Sequence, residues 1–164
     1  EETFTAFETL QNAGKIRSWG VSNFDEDDLA DAMKVTENQQ IICNQVLYHL
    51  KERAIEHAVL PFCAQHKLAL VAYSPFGSGR FPAPTSTPGR GLSEIAKRHS
   101  ASPRQIALAF LINHPSVFVI PQTSQISHVR ENALASGIVL SEEEIKQIEQ
   151  IFPRGRRRRG IPTL

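Results

Sequence analysis

The residues of this 164-residue sequence that could do chemistry are mostly amides, hydroxyls and a tyrosine, set where short apolar runs end. They fall in four groups: Ser22-Asn23, Asn44-Gln45, Tyr73-Ser74-Pro75-Phe76-Gly77 and Pro121-Gln122-Thr123-Ser124. A side-chain amide donates and accepts at once, so it can grip another amide. A tyrosine ring adds a stacking face. Gly77-Ser78-Gly79 lets backbone approach closely, as a phosphate would require. Together these groups describe a site for a neutral, planar, hydrogen-bonding ligand. Each also has a plainer reading: Ser and Asn as helix caps, Gln45 as a core amide bonded to backbone, Tyr73 as a core ring. The sequence has no GxGxxG or Walker pattern and no His/Cys/Asp spacing of a metal site.

The elements that must position these groups alternate. Phe4, Phe7 and Leu10 recur at helical spacing before Gly14, and a strand is expected over 17–22. The acidic residues Asp25 to Asp28 suit the positive end of a helix running through Leu29, Ala32 and Met33. A strand over 41–47, a helix over 52–66 and a strand over 68–73 follow. The long irregular stretch 74–88 is expected to be functional or mobile. A helix near 92–99 comes next, then Ser102-Pro103 restarts the helical pattern as N-cap and first residue. A strand over 117–120 and a helix over 126–135 precede Ser141 and Glu144, a capping box ahead of Ile145, Ile148 and Ile151. Strands thus alternate with helices four times. The expected fold class is α/β, with parallel βα units in an open sheet or part of a barrel. Active groups of such folds collect where strands end and loops begin.

Apolar content of 41% and charged content of 21% are ordinary for a soluble globular domain. The apolar runs are far shorter than the ~20 residues of a membrane span, and Glu1-Glu2-Thr3 does not open a secretory segment. The absent initiator Met leads us to expect a cut piece or a processed product. Cys43 and Cys63 make no disulfide framework, so core packing in a reducing cytoplasm is the default. Of the 18 cations, five lie within Arg154–Arg159, leaving 13 against 17 anions in the rest of the chain. Residues 153–164 are therefore expected to form a basic, disordered tail. With no aromatic interleaving or nucleic-acid motif beside it, nucleic acid is not the expected partner.

The order of these motifs resembles the aldo-keto reductase family. Gly14-Lys15-Ile16-Arg17-Ser18-Trp19-Gly20-Val21-Ser22-Asn23-Phe24 is similar to the segment around the fifth barrel strand of that family. Asn44-Gln45-Val46 resembles the sixth strand, Ala72-Tyr73-Ser74-Pro75 the seventh and Val119-Ile120-Pro121 the eighth. His128 to Asn132 resembles the stretch that holds the adenosine end. The likeness covers residues 1–152 in order and is nearest to bacterial members of the methylglyoxal-reductase type. It implies the second, C-terminal half of a TIM (β/α)8 barrel.

The resemblance further implies an oxidoreductase that passes hydride from a nicotinamide cofactor to a carbonyl, with NADP the default and NAD possible. Ser22, Asn23 and Gln45 would hydrogen-bond the nicotinamide carboxamide, and Tyr73 would stack on its ring. Ser74, Phe76 and Gly77 would border the pyrophosphate. Gln122, Thr123, Ser124 and His128 would lie near the adenosine ribose phosphate, and Glu131 and Asn132 would meet the adenine. Two positions depart from the common pattern: Gln122 stands for a lysine and His128 for an arginine, both of which would pair with a 2′-phosphate. The family's catalytic Asp, Tyr, Lys and His lie on its first four strands, upstream of this sequence, so no catalytic residue is expected here. Tyr48 and His49 are expected at the pocket rim at best. The expected partners are a small aldehyde or ketone and a missing N-terminal half or second copy. The alternative is a non-catalytic nucleotide-binding or self-associating half-barrel module, since half a barrel exposes two strand edges and part of its core.

Overall fold

The computed structural model describes residues 2–36 and 41–164. Four strands, β1 (Trp19–Ser22), β2 (Ile41–Leu47), β3 (Ala69–Tyr73) and β4 (Val117–Val119), form one sheet in sequence order. All three neighbouring pairs are parallel. Helix α1 (Glu2–Asn12) precedes the sheet, and α2 (Glu26–Val35) joins β1 to β2. Helix α3 (Val59–Gln65) joins β2 to β3, while α4 (Thr87–Arg98) and α5 (Pro103–Leu111) join β3 to β4. Helices α6 (Ile126–Leu134) and α7 (Glu142–Ile151) follow β4.

Local chemistry sets the helix starts. Asp25 caps α2 through the amides of Asp27 and Asp28, and Asp28 returns a bond to the Asp25 amide. Ser102 and Gln105 exchange the same pair of bonds at α5, as do Ser141 and Glu144 at α7. The start of α4 lies earlier than its apolar pattern predicts. Ser86 caps the Gly89 amide at 3.1 Å, and Pro88 is tolerated in the first turn, where its missing N–H costs no helical bond.

The helix expected over 52–66 is broken. A 3-10 turn occupies Ala54–His57, and α3 begins only at Val59. Pro61 explains the break: within a continuous helix its ring would clash with the His57 carbonyl. The break turns Glu56 inward, where Arg53 donates to both carboxylate oxygens at 2.6 and 2.7 Å. The Tyr48 hydroxyl donates to the same carboxylate at 2.7 Å, and Arg53 also reaches the Phe152 carbonyl at 2.6 Å.

Register decides what each sheet face presents. Ser22 pairs with Gln45, and Leu47 with Tyr73. Because side chains alternate along a strand, Ser22, Gln45 and Tyr73 share one face, with Cys43, Val71 and Phe118. The other face carries Asn44, Val46, Leu70, Ala72 and Val117, all buried in the core with the helices. Trp19 is also buried, between Phe4 and Phe7 of α1 at centroid distances of 5.4 and 5.3 Å. The first face stays open: Phe118 is 58% exposed, and Ile120 just beyond β4 is 45% exposed. The architecture is the curved half of a (βα) barrel, with helices on one side and a bare inner surface on the other.

Residues 153–164 form no helix or strand. They lie along the protein surface, with Arg154 3.7 Å from Glu56, Arg158 3.7 Å from Glu52, and Arg157 paired with Glu26.

Candidate functional site

The C-terminal ends of the strands bring the site residues into two neighbouring groups. The first lies on the open sheet face. Ser22 Oγ and the Asn23 amide both donate to the Gln45 carbonyl at 2.9 Å, locking the end of β1 to β2. Asn23 holds the left-handed backbone at φ 56°, a conformation asparagine tolerates better than most residues. That turn brings its carboxamide oxygen to the Tyr73 hydroxyl at 3.3 Å. Among the described residues nothing hydrogen-bonds to the Gln45 side-chain amide, which leaves it free for a ligand.

Asn44, next to Gln45, has a different job. It is fully buried on the helix side, donates to the Phe24 carbonyl at 2.8 Å and accepts from the Phe24 amide at 3.4 Å. The two amides of this pair thus divide: one steadies the β1–α2 loop and the other faces the open surface.

A tight turn leads from Tyr73 to the second group. Ser74, Gly77, Ser78 and Gly79 all hold positive φ. The Gly77 amide donates to the Ser74 carbonyl at 2.7 Å, and Ser78 Oγ to Ser74 Oγ at 3.0 Å. The stretch expected to be irregular is thus a series of turns, fastened by Lys51 Nζ on the Arg80 carbonyl at 2.7 Å. Beyond it opens a cleft of about 620 Å³ between this loop, the start of α5 and the start of α6. Phe76, Gln122, Thr123, His128, Glu131 and Asn132 line it. Ser124 is exposed and does not line it. Thr123 Oγ1 accepts from the Gln125 amide at 3.1 Å and lies 3.4 Å from His128 Nδ1. Glu131 is partly engaged: its carboxylate accepts from Ser102 Oγ, and its carbonyl accepts from Gln105 at 3.1 Å.

Tyr48 does not stand at a pocket rim. Its side chain is fully buried, and burial together with the Glu56 carboxylate pushes its phenol far above the usual range, which removes it as a proton donor near neutral pH. His49 borders a small pocket beside Pro75 and Phe76, and burial lowers its pKa. Sequence reasoning missed Arg104 and Phe81, which also line the large cleft. The Arg104 guanidinium lies over the rings of Phe81 and Phe76, 5.1 and 5.8 Å from their centroids. A signal for it existed: a cation in the first turn of α5 opposes the helix dipole, so stability does not explain it. Among the described residues no cluster of acids, histidines and cysteines could hold a metal ion, and no helix is long and apolar enough to cross a membrane.

Comparison with known proteins covers the same ground. Residues 1–152 match the aldo/keto reductase family. Over 153 residues the chain is 38% identical to methylglyoxal reductase YeaE of Escherichia coli, covering 93% of this chain and 54% of that protein. It is 33% identical to the 9,11-endoperoxide prostaglandin H2 reductase of Trypanosoma cruzi, covering 92% of this chain and 51% of that one. Among solved structures, an aldo/keto reductase from Klebsiella pneumoniae in complex with NADP and acetate superposes with a TM-score of 0.88 at 39% identity. That match covers 99% of this chain and 58% of the Klebsiella chain. The chain spans about half the length of the relatives it matches.

Proposed function

The chain belongs to the aldo/keto reductase family, and on that premise we propose that it is the NADP-binding half of a carbonyl reductase of the methylglyoxal-reductase type. The observation that carries this reading is the shared open face of Ser22, Gln45 and Tyr73, which runs through the Ser74–Gly79 turn into the 620 Å³ cleft. The donor set fits a dinucleotide. Among the described residues the Gln45 side-chain amide has no hydrogen-bond partner and no carboxylate pairs with the guanidinium in the cleft, and the turn carries positive φ at Gly77 and Gly79. Ser22, Asn23 and Gln45 would hold the nicotinamide carboxamide, and the Tyr73 ring would support the nicotinamide from one side. Ser74, Phe76 and Gly77 would border the pyrophosphate. Gln122, Thr123, Ser124 and His128 would surround the ribose phosphate, and Glu131 and Asn132 the adenine.

A reduced nicotinamide supplies hydride to an aldehyde or ketone carbon, which becomes an alcohol carbon. The carbonyl oxygen then needs a proton, and among the described residues neither tyrosine is poised to give it. Tyr73 donates to Asn23, and the Tyr48 phenol is buried against Glu56. The proton donor is therefore assigned to a partner half-barrel packed on the open sheet face. Residues 1–152 are the functional unit of this reading and 153–164 its basic extension. The two free cysteines fit a reducing cytoplasmic setting.

Fluorescence titration with NADPH, then assay with methylglyoxal, tests this reading. Binding without turnover is expected. Turnover by the pure chain would overturn the assignment of the proton donor, and failure to bind would overturn the whole reading.

A second reading draws on the exposed Phe118 and Ile120 and on the two outer strand edges. Parallel edges of β1 and β4 are complementary, so two copies could close a barrel by strand addition. Sedimentation of the chain decides this: a dimer favours the second reading, and a stable monomer with a cooperative melt removes it.

A further inference from the structure

The large cleft holds a cation whose position is costly and whose charge is unanswered. Arg104 is the second residue of α5, beside the partial positive charge of that helix end, where a basic side chain is unfavourable. Its guanidinium is spread over Phe81 and Phe76, an arrangement that fixes a planar group in orientation while leaving its N–H edge available. The acid lining the same cleft, Glu131, is turned to the Ser102 hydroxyl, and among the described residues no carboxylate pairs with Arg104. Gln122 and Thr123, which line the same cleft, carry no charge to balance a dianion.

We infer that Arg104 is the residue by which this cleft recognises a phosphate monoester on its nucleotide, and so the residue that makes the site prefer NADPH to NADH. This rests on the reading that the cleft takes the adenosine end of a dinucleotide. A guanidinium offers paired N–H donors in a rigid fork that matches a phosphate, and a dianion there also relieves its conflict with the helix end. Arg104 thereby supplies the fixed charge that Gln122 lacks. The phenylalanines act as a platform, holding the fork flat before the nucleotide arrives.

The test is titration of the 164-residue chain, and of its Arg104→Gln and Arg104→Lys variants, with NADPH and separately with NADH. Arg104→Gln is expected to weaken NADPH binding by roughly tenfold, the weight of one charge-assisted hydrogen bond, and to leave NADH binding unchanged. Arg104→Lys should recover part of the loss, since a point charge keeps the attraction without the fork. Equal losses for both nucleotides would place Arg104 on a part they share and overturn the inference, as would no loss at all. If the unsubstituted chain binds neither nucleotide, this inference and the nucleotide reading fall together. If it binds both and ignores the substitution, only this inference falls. A salt titration of the unsubstituted chain guards against a misfolded variant: NADPH binding must weaken with salt more steeply than NADH binding, and parallel slopes would also refute the assignment.

Discussion

Asn44 grips both backbone groups of Phe24, donating to its carbonyl and accepting from its amide, from a position with no exposure to solvent. This one amide fixes the loop that carries Ser22 and Asn23. Asn44→Leu leaves two partly buried backbone groups of Phe24 without their partner, at a cost of at most about 1–3 kcal/mol for each. Urea denaturation should show the loss. NADPH affinity should fall with it, because the Asn23 turn is no longer held against Gln45.

In the proposed function Tyr73 contributes its ring, and its hydroxyl only tethers it to Asn23. Tyr73→Phe should therefore keep most nucleotide affinity. Tyr73→Ala should lose about 0.5–1.5 kcal/mol of it beyond the effect of lost area. Isothermal titration of both variants checks the pair, and equal losses would mean that the hydroxyl matters more than the ring.

At Gly20, β1 leaves no room for a side chain beside β2. A Cβ added there would lie 2.4 Å from Cys43 Sγ and 2.7 Å from the Cys43 carbonyl oxygen. Gly20→Ala should cost about 1–3 kcal/mol by overpacking. Trimming the sulfur with Cys43→Ala should restore only part of that loss, since the carbonyl contact remains. A thermal melt of the single and double variants reads both effects.

Arg53 and Glu56 form a pair with 2% and 6% of their side chains exposed. Arg53→Ala takes the close cation from the buried carboxylate and leaves it only Arg154 at 3.7 Å, a loss of up to about 3–5 kcal/mol. It should also loosen the C-terminal segment, because Arg53 holds the Phe152 carbonyl at 2.6 Å. Equilibrium unfolding and limited proteolysis at the C-terminus measure the two consequences.

Glu144 ties α7 to α4. Burial pushes its carboxyl up, but the Ser141 amide, His99 and Arg98 outweigh burial and hold it down at about 2. A carboxyl depressed on folding contributes stability that is complete above its ordinary value of 4.5 and is lost as pH falls toward about 2. Glu144→Gln should lower stability at neutral pH and flatten its dependence between those two values. Melting temperatures measured across that range check the slope.

Much of this was legible in the sequence because it depends on local pattern. Strand β2 covers the run 41–47 that its apolar residues mark, and the Ser102-Pro103 and Ser141–Glu144 caps are set by neighbours in the chain. The half-barrel assignment also stands, since the sheet is parallel and in sequence order and the matched relatives are about twice as long. The break at Ala58 was missed because Ile55, Val59, Phe62 and Cys63 keep helical spacing across it, and periodicity does not register a proline. Arg104 was missed for a different reason. Its meaning depends on Phe76 and Phe81, which are distant in sequence and meet it only once the β3–α4 loop folds back. Tyr48 was misplaced because its position after β2 says where its backbone lies and nothing of the Arg53–Glu56 pair that draws its side chain inward.

Each strand of the sheet pairs with the one made just before it. Such an order suits assembly on the ribosome, where β1 can receive β2, and β2 can receive β3, without waiting for a distant part of the chain. Growth of that kind has no built-in stop, and the outer edges of β1 and β4 each stay open to a further strand.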